Sequence, residues 1–80
     1  MQHIKITIYT TPTCPYCARA KSYLRQLGFK FTEVDVSRDP RAAERLVKKT
    51  GQTGVPVIEI GNQTVIGFDK EKIDRILGVK

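Results

Sequence analysis

Residues 4–28 read IKITIYTTPTCPYCARAKSYLRQLG, and the change of rhythm inside this stretch decides the fold. Ile4, Ile6 and Ile8 alternate with Lys5 and Thr7, the period of a strand with one apolar face. Thr10-Thr11-Pro12-Thr13 breaks that strand. From Pro15 to Leu27 the period turns helical: Cys17, Ala20, Leu24 and Leu27 recur three and four residues apart, while Arg19, Ser22, Arg25 and Gln26 fall off that face. Pro15 suits a first helical turn, where its missing N–H would be unpaired in any residue. Gly28 supplies the left-handed residue past the end. Cys14 and Cys17 straddle the junction of strand and helix.

Working outward, Phe31 to Val36 reads as a second strand, with Thr32, Val34 and Val36 on one face and Phe31, Glu33 and Asp35 on the other. Asp39 and Pro40 open a second helix as N-cap and first residue; Ala43, Leu46 and Val47 form its expected apolar stripe, and Gly51 ends it. Val57 to Ile60 and Gln63 to Ile66 are two further strands joined by Gly61-Asn62. Both linking residues tolerate the positive φ of a tight hairpin, so these strands are expected to be antiparallel neighbours. Asp69 caps a last helix with Ile73, Ile76 and Leu77 inward and Gly78 at its end. The order β-α-β-α-β-β-α starts with a βαβ unit, whose strands are parallel through a right-handed crossover. The expected fold is α/β: a four-stranded mixed sheet flanked by three helices, residues 1–80 forming one domain.

Composition narrows the function. Eighty residues bury only about 60% of the surface their unfolded chain exposes, so the core is thin. No apolar run reaches membrane-spanning length, and the N-terminus shows no signal-peptide pattern, so the expected location is the cytoplasm. Fourteen Lys and Arg against eight Asp and Glu leave a net charge of +6. The cations are spread from Lys5 to Lys80, with Lys48-Lys49 the longest contiguous cluster. Nucleic-acid binding, which wants a dense basic stripe with interleaved aromatics, is not expected. Two cysteines three residues apart make no secreted disulfide scaffold.

Cys14-Pro15-Tyr16-Cys17 is the motif that carries chemistry. The thiolate is the reactive form of cysteine, and a helix N-terminus offers it unpaired N–H groups and the positive end of the helix dipole. Cys14, at the helix edge, can meet solvent and act as nucleophile. Cys17 lies on the inward face with Ala20 and Leu24, and is expected to be buried, to hold its proton more tightly and to act second. A disulfide closing so small a ring adds little stability and opens readily, as a catalytic disulfide must. The alternative is a metal-binding module built on Cys14 and Cys17. Structural zinc needs four ligands, and beside the cysteines the chain offers only His3, which reads as a surface residue. An iron–sulfur cluster would need two chains to bring four thiolates together.

Two further segments stand out. In Thr53-Gly54-Val55-Pro56-Val57, spacing alone reads Pro56 as an ordinary proline opening a strand, where it has no N–H to give the ladder. Gly67-Phe68-Asp69 reads as a strand end followed by a helix N-cap. Phe68 is either a buried core aromatic or a contact for a partner.

Cys14-Pro15-Tyr16-Cys17, Thr53-Gly54-Val55-Pro56 and Gly67-Phe68-Asp69, in this order along essentially the whole chain, resemble the glutaredoxins and glutaredoxin-like redoxins of the thioredoxin fold. The resemblance implies a thiol–disulfide oxidoreductase that reduces protein disulfides or glutathione mixed disulfides, with Cys14 as nucleophile and Cys17 as resolving thiol. It implies that Pro56 is the family's cis-proline, that the backbone of Val55 pairs with an extended substrate, and that Tyr16 is the exposed aromatic beside the cysteines. Thr10, Thr11 and Thr13 would line the approach, with Gln52, Gly67, Phe68 and Asp69 completing the substrate site. No metal or prosthetic group is implied; glutathione is a candidate co-substrate. The implied partners are disulfide-containing proteins, glutathione or thioredoxin reductase as electron donor, and ribonucleotide reductase as a recipient, with the protein a monomer.

The sequence also departs from the glutathione-dependent pattern. Thr11 stands where those members commonly carry a lysine for the glycyl carboxylate. Gly54-Val55-Pro56 stands where they have T-V-P, and Gly67-Phe68-Asp69-Lys70 where they have G-G-x-D-D; Gln52 fits the pattern. Lys70 and Lys72 are candidates to restore the missing positive charge. The departures lean toward the redoxins that draw electrons from thioredoxin reductase.

Overall fold

In the computed structural model, residues 4–52 and 54–78 are described; His3 and Thr53, singled out above, lie outside them. Seven elements follow one another: β1 Ile6–Thr10, α1 Pro15–Gln26, β2 Thr32–Asp35, α2 Pro40–Thr50, β3 Val57–Ile60, β4 Gln63–Ile66 and α3 Lys70–Leu77. The strands form one sheet in the order β2-β1-β3-β4. β1 and β2 are parallel, pairing Thr7 with Thr32 and Thr10 with Asp35. β3 runs antiparallel to both neighbours, with Ile8 opposite Ile58 on one side and Ile58 opposite Val65 on the other. This is the expected mixed four-stranded sheet with its three helices.

Alternation along β1 and β3 sorts the core onto two faces of the sheet. Ile6, Ile8, Ile58, Ile60 and Val65 meet Ala20 and Leu24 of α1 and Ile73 and Leu77 of α3. Tyr9 and Val57 meet Ala42 and Leu46 of α2. β1 was expected to show one apolar face and to break at Thr10. It runs through Thr10, which is buried, and it is covered on both sides. A central strand carrying helices on both faces buries both sets of side chains. The stripe of α2 is Ala42 and Leu46 rather than Ala43, Leu46 and Val47; Val47 is 39% exposed. Asp39 accepts the Ala42 N–H and starts the helix so that the small Ala42 faces the sheet, one turn before Leu46.

The hairpin between β3 and β4 has the expected two-residue link, but only Gly61 takes a positive φ, at 61°; Asn62 does not. Gly61 donates its N–H to Lys5 O, tying the turn to the chain just ahead of β1. β2 is shorter than the expected 31–36, yet its faces are as read: Phe31 packs with the α1 and α3 side, Val34 and Val36 with the α2 side. Among the described residues no helix is long and apolar enough to cross a membrane.

Candidate active site at the start of the first helix

β1 ends at Thr10, three residues of turn follow, and Cys14 becomes the N-cap of α1. The Cys14 backbone is extended (φ −97°, ψ 110°), and its N–H reaches Thr11 O at 3.4 Å. Its side chain takes the place a serine or aspartate holds in an ordinary cap: Sγ accepts the Cys17 N–H at 3.1 Å. An orphan donor of the first turn thus points at the sulfur. Pro15 follows as the first helical residue.

The two sulfurs live in different surroundings. Cys14 is half-buried; Cys17 is 1% exposed, and both are free thiols. Burial pushes the Cys17 thiol up to about 11, and its hydrogen bond to Cys14 and the charge of Cys14 add to the rise. A backbone hydrogen bond from Thr11 and the charge of Lys21 pull the other way. At neutral pH Cys17 therefore keeps its proton, as its inward place on α1 led us to expect.

The loop before β3 closes the other side. The Val55–Pro56 peptide bond is cis, as the family resemblance implied, and not the ordinary proline geometry that spacing alone suggested. Pro56 is buried and Val55 half-buried. The Cys14 thiol lies against Val55, donating to its carbonyl oxygen at 3.8 Å. Gly67, with φ 79°, donates its N–H to Pro56 O at 2.7 Å, which fixes the end of β4 beside this loop. Gln52 is exposed, and its side-chain amide lies where a Cβ on Gly54 would meet it at 3.5 Å.

Of the remaining candidates, Tyr16 is 59% exposed on the first turn of α1, with the Arg19 guanidinium 5.4 Å from its ring centre. Thr11 is half-buried and Thr13 exposed in the turn ahead of Cys14, whereas Thr10 is buried at the end of β1 with its hydroxyl donating to Glu33, so it does not line the approach as expected. Asp69 caps α3 by accepting the Lys72 N–H at 3.2 Å. Phe68 packs against the core and meets Tyr23 edge-on, ring centres 5.8 Å apart. Its contacts are those of a core aromatic.

Tyr23 and Asp74 did not stand out in the sequence, yet they organise this flank. The Tyr23 hydroxyl donates to Asp74, and Lys70 Nζ donates to the same carboxylate at 3.1 Å while lying 5.1 Å from the Tyr23 ring centre. Lys70 thus lies along α3 against Asp74 and Tyr23. The Lys70–Asp74 spacing of four was readable; the meeting with Tyr23, 51 residues away, had no local signal. Among the described residues no three His, Cys, Asp or Glu side chains come together to hold a metal.

Comparison with known proteins agrees with this geometry. Residues 6–65 match the family model described as Glutaredoxin. A glutaredoxin-like 8.6 kDa protein of the rubredoxin operon of Clostridium pasteurianum is 40% identical over 72 residues, covering 90% of this chain and 96% of that one. Glutaredoxin 3 of Escherichia coli is 41% identical over 64 residues, covering 80% and 77%. Among solved structures, the glutaredoxin-like NrdH-redoxin of Escherichia coli superposes with a TM-score of 0.81 at 36% identity, covering 90% of this chain and 93% of that one.

Proposed function

This chain belongs to the glutaredoxin family and is a thiol–disulfide oxidoreductase, and from that premise we propose that it is a dithiol reductant of protein disulfides fed by thioredoxin reductase. The observation that carries the reading is the unequal pair: an accessible Cys14 capped by the Cys17 N–H, and a buried Cys17 thiol. Cys14, as thiolate, attacks one sulfur of the substrate disulfide. A mixed disulfide forms and the substrate's other sulfur leaves as a thiolate that takes a proton from water. Cys14 then carries no charge, so one of the influences holding the Cys17 proton is gone. Cys17 gives its proton to water and attacks Cys14 Sγ, the substrate's second sulfur leaves as a thiolate that takes a proton back from water, and a Cys14–Cys17 disulfide remains. Two electrons have passed to the substrate, and the reductase returns two.

An extended substrate would lie along the backbone of Val55, before Pro56, with Tyr16 as an apolar wall and Thr11, Thr13 and Gln52 at the rim. Thr11 has no charge for a glycyl carboxylate, Lys70 is engaged by Asp74 and Tyr23, and Phe68 fills the place of a glycine. The NrdH-redoxin of Escherichia coli, on which this chain superposes, is a glutaredoxin-like protein with a thioredoxin-like activity profile. The proposed setting is the reducing cytoplasm, with the protein a monomer and ribonucleotide reductase among its recipients.

The test is recycling of the oxidised protein by NADPH with thioredoxin reductase in one cuvette, and with glutathione and glutathione reductase in another. The reading expects fast turnover in the first only. Fast turnover in the second only overturns the donor assignment and leaves the family chemistry intact.

A further inference from the structure

The Cys14 sulfur makes two hydrogen bonds of opposite sense. It accepts the Cys17 N–H at 3.1 Å and donates its own proton to Val55 O at 3.8 Å. Ionisation treats them differently. The accepted bond strengthens, because a charged acceptor binds a donor more tightly. The donated bond disappears with its proton. The negative end of the Val55 carbonyl then faces the thiolate, and among the described residues no other donor reaches that oxygen. Val55 is also the residue along which a substrate strand would pair, and the inference that follows rests on that reading.

We propose that the Val55 carbonyl couples substrate docking to ionisation of Cys14. In the thiol form, this oxygen is engaged by the Cys14 proton. In the thiolate form it is open, and a backbone N–H of the substrate satisfies it while shielding the thiolate from it. The thiol proton passes to solvent water, which the half-buried Cys14 can meet; no electrons move in this step. A carbonyl oxygen has two lone pairs, so the thiol form weakens docking rather than forbidding it. Coupling between two equilibria is reciprocal. The thiolate form binds the strand more tightly, and the strand raises the thiolate-to-thiol ratio, by one factor. A single hydrogen bond sets that factor at roughly two- to tenfold. Docking itself would then arm the nucleophile.

The test uses the full, reduced protein with carbon-labelled cysteine, followed by NMR at constant neutral pH. The probe is a linear peptide of sequence Glu-Val-Ser-Val-Glu with blocked ends; its serine stands where a substrate has cysteine, so no exchange can occur. Amide shifts of Gly54, Val55 and Val57 report docking, and the Cβ shift of Cys14 reports its ionisation. The expected result is docking with a two- to tenfold rise in the thiolate-to-thiol ratio. The same peptide N-methylated at the amide that pairs with Val55 is expected to give no such rise. Docking with an unchanged or lower ratio overturns the coupling and leaves strand docking intact. An equal rise with the N-methylated peptide removes the Val55 carbonyl as its carrier. Failure of the first peptide to shift those amides, even at concentrations that saturate other strand-docking domains, overturns the docking reading and the coupling with it.

Discussion

The backbone N–H of Cys17 points at the sulfur of Cys14 from 3.1 Å, while the Cys17 thiol itself is turned into the core. One residue thus supports the nucleophile with its backbone and waits to resolve the product with its side chain. Cys14→Ser is expected to abolish all disulfide exchange. Cys17→Ser keeps the N–H in place, so it should retain attack on a glutathione mixed disulfide while losing turnover on protein disulfides. Assays of the two variants on both substrate types check this; full protein-disulfide turnover by Cys17→Ser contradicts it.

The buried thiol also gives the reduced protein an alkaline weakness. The Cys17 thiol is raised from its ordinary 9.0 to about 11 by burial first, with Cys14 adding to the rise. The folded state holds that proton more tightly than the unfolded chain does. Its contribution to stability is therefore complete below the ordinary thiol value and is lost as pH rises through about 11. The urea midpoint of the reduced protein should fall across this window, and Cys17→Ala should show a shallower fall. Equal slopes in the two proteins contradict the assignment.

At acid pH the Tyr23–Asp74–Lys70 cluster acts in the other direction. The Tyr23 hydroxyl, and after it Lys70, hold the Asp74 carboxyl below its usual range. A lowered carboxylate contributes stability above its unfolded value, about 3.9, and loses it as pH falls further. Glu33, lowered first by its bond to Lys21, adds to the same acid loss. Asp74→Asn should flatten the acid limb of stability and free Lys70, measured by urea unfolding below and above that value. An unchanged acid limb would show that the cluster is not formed in solution.

Much of this fold is legible in local sequence patterns. The switch from alternation to three-and-four spacing at Cys14 marks β1 and α1, and Asp39-Pro40 and Asp69 mark the starts of α2 and α3. What was not legible depends on what lies opposite a residue in space. Thr10 and Tyr9 are buried because β1 is central in the sheet. Ala42 replaces Ala43 on the inner face because packing of α2 against Tyr9 and Val57 chooses between two overlapping stripes that share Leu46. The cis bond before Pro56 has no spacing signal and was legible only through the family resemblance, and the meeting of Tyr23 with Asp74 joins residues 51 apart in sequence.

Phe68 illustrates the same limit at the site. Sequence left it between core and partner contact; it packs edge-on against Tyr23 and onto the core. Phe68→Ala should cost about 1–3 kcal/mol of stability, less than a fully buried phenylalanine, while protein-disulfide turnover well below the melting temperature stays within about twofold. A large loss of turnover with unchanged stability would make it a partner contact instead.

The central claim is the division of labour between Cys14 and Cys17, and trapping tests it most directly. The Cys17→Ser variant, mixed with a disulfide-bearing protein substrate, should accumulate a covalent one-to-one adduct that reductant releases. Peptide mass mapping should place the bond at Cys14. The Cys14→Ser variant should trap nothing, since its remaining thiol is buried and protonated. Accumulation of adduct on Cys17 in the Cys14→Ser variant, at a rate comparable to that of Cys17→Ser, would contradict the account.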